Sequence, residues 1–361
     1  KMLNFSKTCN CMKILRFIGF LVLSAMFFFG LFLIYSTLTY FDPEPERIIS
    51  ESCNPDTIPC DSTLKVISWN IGYAGLGENM DFFYDNGKRV RDTKRRTVTN
   101  LDSITRFLRN YCSANFFLIQ EVDLQSKRSY YINEKDTIAE RIGYYASFAQ
   151  NYVVSFVPIP LTSPMGKVNS GILNISKYAS KNAVRYSYPG KFSWPNRLFN
   201  LRRCMLINRY PTNNGKEFIL VNTHMSAFDN GQLKKQEMNF LHNFILGEFA
   251  KGNYIIVGGD WNQSPPEFPL NTFGENYKVE FFKLTNISVN FVPKDWKWVY
   301  DPTIPTNRYI NEPFIPGKTF SSIIDIFLVS PNIDVIKRNT FNLNFQNSDH
   351  NPISIEFDLR Q

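Results

Sequence analysis

The chain has 361 residues, 43% of them hydrophobic and 16% aromatic, with a formal net charge of +8. That composition excludes an intrinsically disordered protein, and the length suffices for one large α/β core. Half of the positive excess sits in Lys1, Lys7, Lys13 and Arg16, so the remainder is mildly basic and charge alone does not argue for nucleic acid.

From Phe17 to Phe41 no residue is charged. The run is too long and too uniformly apolar for a core helix, and its length suits a bilayer crossing. Residues 17–37 are therefore expected to form an uncleaved transmembrane anchor, with a cleaved signal peptide as the alternative. The basic residues lie before it, and Asp42, Glu44 and Glu46 follow it. The positive-inside rule then makes residues 1–16 a cytoplasmic tail and puts everything after Tyr40 outside, a single-pass arrangement. Cys9 and Cys11 lie in that tail. Residues 38–62, rich in Pro, Ser and acids, read as a stalk, in which Cys53 and Cys60 are expected to close a small disulfide loop. Residues 63–361 read as one domain.

Short β-type runs recur through it: LKVISW (64–69), NFFLIQ (115–120), GILNIS (171–176), CMLINRY (204–210), EFILVNT (217–223), NYIIVGG (253–259), SIIDIFLVS (322–330) and PISIEFDL (352–359). Most are nearly continuous in apolar residues, as strands buried on both faces are. PTNNG (211–215) reads as a hairpin turn. Residues 95–111 and 232–250 read as amphipathic helices. Sheets covered by helices give a layered α/β architecture. The stretches 72–92, 148–168 and 287–318 read as long aromatic loops, and loops of that length are usually functional.

A polar residue follows most of these runs: Asn70 after LKVISW, Glu121 after NFFLIQ, His224 after FILVNT, and Asp260 with Asn262 after IIVGG. Asp325 is embedded in an apolar strand. Asp349 and His350 stand together just before the last strand, in a chain with three histidines. Each alone is an ordinary way to end a strand. Together they would crowd acids, amides and imidazoles along one sheet edge, which is costly unless a cation sits among them. Oxygen donors select a hard ion, magnesium first, manganese or calcium next. A carboxylate buried in an apolar strand needs a partner, and His350 is the natural one for Asp325. His242, off the apolar face of its helix, reads as a surface residue. Asn262-Gln-Ser is formally a glycosylation sequon, read as unused because a glycan there would block the site.

This set of motifs, SWNIG, LIQEVD, NTHMS, GGDWNQSP, IDIFLVS and SDHNPI, resembles in order and from Leu64 to Leu359 the endonuclease/exonuclease/phosphatase superfamily of deoxyribonuclease I-like hydrolases. The resemblance implies a four-layer α/β sandwich, two packed mixed sheets with helices outside, and hydrolysis of phosphate esters with a divalent metal. It implies that Glu121 is the principal metal ligand, helped by Asn70 and Asp349. Asp260 would orient or deprotonate the attacking water, and Asn262 would hold the scissile phosphate. His350, held by Asp325, and His224 would contact the phosphate and assist proton transfer. Asn169 and Ser170 fall where the family often places a phosphate contact, and Arg128, with Lys127, is a candidate for facing substrate. The stretch 287–318 departs from the family pattern and leaves the substrate class open.

Three functions compete. The expected one is a membrane-anchored, metal-dependent phosphodiesterase acting outside the cytoplasm, with a lipid headgroup as the favoured substrate because of the anchor and the aromatic loops. The second is a surface nuclease, which needs a basic groove. The third is a binding module on a hydrolase scaffold, which would need a missing catalytic residue, yet every motif position is filled. No protein partner is legible.

Overall fold

The structure, a computed structural model, describes residues 3–227, 231–274 and 284–360; the side chains before Met12, with Cys9 and Cys11, lie outside that description. Its elements run in chain order as helix α1 (Leu3–Leu38), strand β1 (Glu46–Glu51), β2 (Leu64–Asn70), α2 (Lys94–Asn110), β3 (Phe116–Asp123), α3 (Glu134–Ile142), β4 (Tyr145–Val157), β5 (Gly166–Ser176) and β6 (Asn182–Ser187). The second half adds β7 (Cys204–Pro211), β8 (Glu217–His224), α4 (Gln232–Phe249), β9 (Tyr254–Asp260), β10 (Lys297–Val299), β11 (Asn307–Arg308), β12 (Ser321–Ser322), β13 (Asp325–Val329), β14 (Ile333–Thr340) and β15 (Ile353–Leu359).

Two open mixed sheets pack face to face. One has the order β1-β6-β7-β8-β9-β13-β10, the other β14-β15-β2-β3-β5-β4, and β11 and β12 form a small ribbon. Alternation explains the layering. Leu64 and Val66 of β2, with Phe116 and Leu118 of β3, point between the sheets and meet Phe218, Leu220 and Ile256. Ile67, Trp69, Phe117 and Ile119 point the other way, onto Leu101, Ile104 and Leu108 of α2. The far face of the second sheet is covered by Leu241 and Ile245 of α4 and by Phe291 and Trp296. The result is the four-layer sandwich expected from the motifs.

Among the described residues two strand pairs are parallel, β2 with β3 and β8 with β9. Each is joined by a helix, as a parallel crossover requires. Both pairs therefore end at the same edge of the sandwich, and open α/β sheets bind ligands beyond the carboxyl ends of such strands. A chain of buried amides crosses the space between the sheets near that edge: Gln120 donates to Asn222 at 2.8 Å, Asn222 to Asn174 at 2.8 Å, and Asn174 to Asn208 at 2.7 Å. Gln120 Oε1 has no partner among the described residues, but the bonds the amides donate across the gap fix how one sheet sits on the other.

Several expectations need correction. Residues 46–51, inside the expected stalk, are an edge strand paired with β6. Cys53 and Cys60 are both free thiols. The backbone N–H of Cys60 donates to Asn213 Oδ1, and the Ile58 N–H to the Pro211 carbonyl, so this stretch is pinned on the β7–β8 turn and Cys60 turns into the core while Cys53 faces solvent. Most of 148–168 is strand rather than loop, because the 13-residue β4 alternates buried and exposed residues along the edge of its sheet. Phe291, Trp296 and Val299 of 287–318 are buried. His242 is half-buried, with its Nδ1 2.5 Å from the Phe291 carbonyl.

Candidate active site

Register brings the strand-end residues together. Asn70 pairs opposite Gln120, so it comes level with Glu121 on the neighbouring strand. Asp260 pairs with His224 on one side and with Asp325 on the other. Asp349 and His350 arrive from the turn before β15. All border one cavity of about 210 Å³, except Asn70 and Asp325, which support its floor, and Asn169.

The floor is a polar network. Asn70 Nδ2 donates to Asp260 Oδ2 at 3.1 Å and to Glu121 Oε1 at 3.4 Å, while its Oδ1 accepts the Gly72 N–H at 3.0 Å. The Asn262 N–H donates to Asp260 Oδ1 at 2.9 Å. Asp260 Oδ2 lies 3.5 Å from His224 Nε2 and 3.8 Å from His350 Nε2, so two imidazoles flank one carboxylate oxygen. Behind them, His350 Nδ1 meets Asp325 Oδ2 at 2.7 Å, and the Asp325 backbone N–H is satisfied separately by Thr306 Oγ1.

These environments separate the charges. Burial and the nearby Arg203 and His350 hold the His224 imidazole well below its usual range, so it is neutral. Burial alone would do the same to His350, but the carboxylates of Asp325, Asp349 and Asp260 outweigh it and hold its pKa up at about 10. The Asn307 amide nitrogen lies 3.0 Å from His350 Nε2 and 3.4 Å from the Asp349 carbonyl; as placed it donates to Nε2, and a doubly protonated His350 requires that amide to present its oxygen instead. Burial raises Asp260 to about 6, with Asp325 adding and His350 opposing. Burial also raises Asp349 to about 6, with repulsion from Glu121 adding and His350 opposing.

The backbone is strained where the chemistry sits. Glu121, Asn262 and Tyr73 have φ of 55°, 49° and 42°, in the left-handed region that costs non-glycine residues energy. Glu121 occupies a bulge of β3 between Ile119 and Val122, which turns its carboxylate out of the ladder toward the cavity.

Two of the expected substrate contacts fare differently. Arg128 lines the cavity, but its guanidinium is buried, grips Asp123 through two bonds of 3.2 and 2.9 Å, and lies 3.8 Å above the Tyr73 ring. Its charge is already compensated there. Asn169 is turned away: it accepts from Gln150 at 2.7 Å, while its neighbour Ser170 faces the cavity and accepts from Arg128. Successive residues of a strand point to opposite sides, and the register of β5 chooses Ser170. Asn262 lines the cavity: its backbone N–H holds Asp260, and its side-chain amide donates one hydrogen bond to the Met225 carbonyl at 2.9 Å.

Other cavity residues carried no sequence signal. Arg203, just before β7, lines the cavity and donates to the His224 carbonyl at 3.5 Å. Among the described residues no carboxylate lies within ion-pairing distance of it, and burial lowers its pKa. Asn307 and Arg308 come from within 287–318. Arg308 donates to the carbonyls of Leu76, Gly77 and Met80, tying that stretch to the 72–92 loop.

Comparison with known proteins agrees with this geometry. The model of the Endonuclease/Exonuclease/phosphatase family matches residues 67–350. The chain belongs to the endonuclease/exonuclease/phosphatase family. Its fold is similar to that of a family protein from Bacteroides vulgatus (14% identity, 83% of this chain and 100% of that one, TM-score 0.53). It is also similar to ANGEL2, a 2′,3′-cyclic phosphatase (15% identity, 89% and 100%, TM-score 0.53). A third similar structure is D. rerio TDP2 with a single-strand DNA product (16% identity, 82% and 100%, TM-score 0.51). No curated protein matches the chain in sequence. Like other members of this family, the chain is a phosphoric ester hydrolase.

Proposed function

We propose that this family member is a membrane-anchored phosphodiesterase that uses a divalent cation and acts outside the cytoplasm. The observation that carries the reading is Asp260 between two imidazoles, one of them fixed from behind by Asp325. A carboxylate beside a neutral and a protonated imidazole is the equipment for moving a proton from water to a leaving oxygen. Asp260, held by Asn70 and the Asn262 N–H, orients the attacking water and draws its proton. His350, protonated and held by Asp325, donates to the departing ester oxygen. His224, neutral, lies beside the same oxygen of Asp260, and Arg203 binds a non-bridging phosphate oxygen.

The donor set fits a hard cation. Glu121 and Asp349 repel one another across the cavity floor, and a positive ion between them relieves that repulsion. Magnesium is usually held by one or two carboxylates and keeps several of its waters, and two carboxylates are what this floor offers. Glu121 and Asp349, with Asn70 beside them, would hold it, and it would neutralise charge on the phosphate.

Anchoring is supported by α1, whose segment Met12–Leu38 is long and apolar enough to cross a membrane. It is supported too by the packing of its last turns on the domain: Phe32 stacks on Phe199, and Ser36 is buried. A nuclease remains the second reading, favoured by the DNA product bound to the similar TDP2 fold. The test is hydrolysis of bis(p-nitrophenyl) phosphate by the full chain in detergent. Turnover that disappears in EDTA and returns with magnesium supports the reading, and turnover that survives chelation refutes it.

A further inference from the structure

We propose that the tip of the β4–β5 hairpin and residues 191–199 form a face that seats the cavity on the lipid bilayer, so that the phosphodiester it receives is a lipid headgroup. This rests on the proposed reading of α1 as a membrane span and of the cavity as a phosphodiesterase site.

The span Met12–Leu38 has 27 residues, none of its apolar window buried in the protein. At about 1.5 Å per residue it is roughly 40 Å long, some 10 Å more than a bilayer's hydrocarbon core. Near its end it touches the domain twice. Phe32 packs between Phe156 of β4, edge-on at 6.2 Å, and Phe199, stacked at 5.7 Å. Trp194 Nε1 donates to Thr37 Oγ1 at 3.3 Å. Phe32 precedes the helix end by about 9 Å of axis. With Lys13 and Arg16 on the cytoplasmic side, the crossing begins at Phe17 and about 20 residues carry it to Thr37, which leaves Phe32 roughly 8 Å inside the far boundary, the depth that interfacial apolar side chains reach.

The protein at that level is apolar and open. Phe156, Ile159, Leu161 and Trp194 are 40%, 41%, 88% and 51% exposed. Contiguous exposed apolar side chains mark a contact surface, and tryptophan is favoured at membrane interfaces. The helix exit does not swing free of them. Asp42 pairs with Lys191 at 3.0 Å and Arg202 at 3.2 Å, Arg197 lies 5.6 Å over the Tyr40 ring, and Ser187 donates to the carbonyls of Glu44 and Pro45. Of the three aromatic stretches read from the sequence, only 148–168 contributes to this face, since Trp296 of 287–318 is buried and Phe82 to Tyr84 of 72–92 pack against the hairpin.

The hairpin walls the cavity, and so does the chain that leaves residues 191–199. Tyr152 and Met165 come from the hairpin, and Asn200 and Leu201 directly follow residues 191–199. Tyr152 Oη donates to the Phe199 carbonyl at 3.0 Å, locking the two together. A headgroup standing out of the bilayer therefore meets the cavity beside the face that holds the domain down. The reaction is plain hydrolysis: the water oxygen bonds to phosphorus, one ester P–O bond breaks, and the leaving oxygen takes a proton to become an alcohol.

The test uses the full chain reconstituted in vesicles of equal parts phosphatidylcholine, phosphatidylglycerol and sphingomyelin. In Leu161→Trp the added fluorescence should be quenched by brominated lipid and shielded from aqueous iodide; the reverse pattern overturns the interfacial face. Ile159→Asp with Leu161→Asp should slow headgroup hydrolysis roughly a hundredfold or more, since each buried apolar side chain is worth about tenfold or more, and leave bis(p-nitrophenyl) phosphate turnover unchanged. Unchanged headgroup hydrolysis overturns the proposal. Loss of both activities reports misfolding, and the fluorescence of Leu161→Trp then decides. Cleavage of a single-stranded oligonucleotide with no headgroup hydrolysis overturns the lipid substrate. A parent chain inactive on the soluble diester overturns the phosphodiesterase reading, whatever the fluorescence shows.

Discussion

Asp325 and His350 offer the sharpest test of the chemistry. The Asp325 carboxylate is buried, its Oδ2 meets His350 Nδ1 at 2.7 Å, and its Oδ1 has no hydrogen-bond partner among the described residues. Its backbone N–H is held by Thr306 instead. The side chain therefore holds the imidazole and nothing else. A hydrogen bond to a charged group contributes about 1.5–3 kcal/mol, and each 1.36 kcal/mol is tenfold in rate. Asp325→Asn, which takes that bond from the His350 imidazolium, should thus lower kcat/KM for a soluble phosphodiester by about one to two powers of ten. His350→Ala should cost at least as much, because it removes the proton donor itself. Residues that act as a unit are strongly non-additive, so the double substitution should match His350→Ala within a factor of a few. Steady-state turnover of the two singles and the double, with thermal melts to confirm folding, decides it. Losses that multiply would show that Asp325 acts elsewhere, and an Asp325→Asn protein that is unstable but fully active would make it structural.

Other predictions follow from the same contacts. Glu121→Gln should abolish turnover with a melting temperature within a few degrees of the parent, and isothermal titration should show loss of magnesium binding; retained binding would remove Glu121 from the ion site. Arg203→Ala should lower kcat/KM by about 1.5–3 kcal/mol, or roughly 10- to 150-fold, as loss of a charged hydrogen bond does; unchanged kinetics would take Arg203 off the phosphate. Protease added to intact cells should release the domain that follows α1, and full protection would reverse the proposed topology. The Glu248 carboxylate would be raised by burial, but bonds from Arg209, Lys251 and Asn253 pull it down to about 2. A depressed folded-state pKa adds stability above the unfolded value near 4.5 and loses it as pH falls towards 2. Glu248→Gln should therefore destabilise by about 1–3 kcal/mol at pH 7, with the deficit shrinking on acidification. A deficit constant from pH 7 to pH 3 would contradict that linkage.

Much of the site was legible because its signals are local. Strands buried on both faces are continuous apolar runs, and the polar residue ending each run marks itself. Asn70, Glu121, His224, Asp260, Asp349 and His350 could thus be read before any strand was paired, and Asp325 betrayed itself as a carboxylate where only a partner would permit one. The helices over 94–110 and 232–249 were equally plain from their apolar faces. What needed the tertiary structure depends on register or on chain returning from afar. Whether Asn169 or Ser170 faces the cavity is decided by how β5 lies on β3, one residue of slip reversing it. β1 exists only because β6 offers an edge to pair with, so its acidic, proline-flanked sequence reads as a stalk. The left-handed turn of Glu121 is imposed by the bulge around it. Arg203 and Asn307 look like ordinary surface polar residues until packing brings them to the cavity, because their meaning lies in distances that no local pattern encodes.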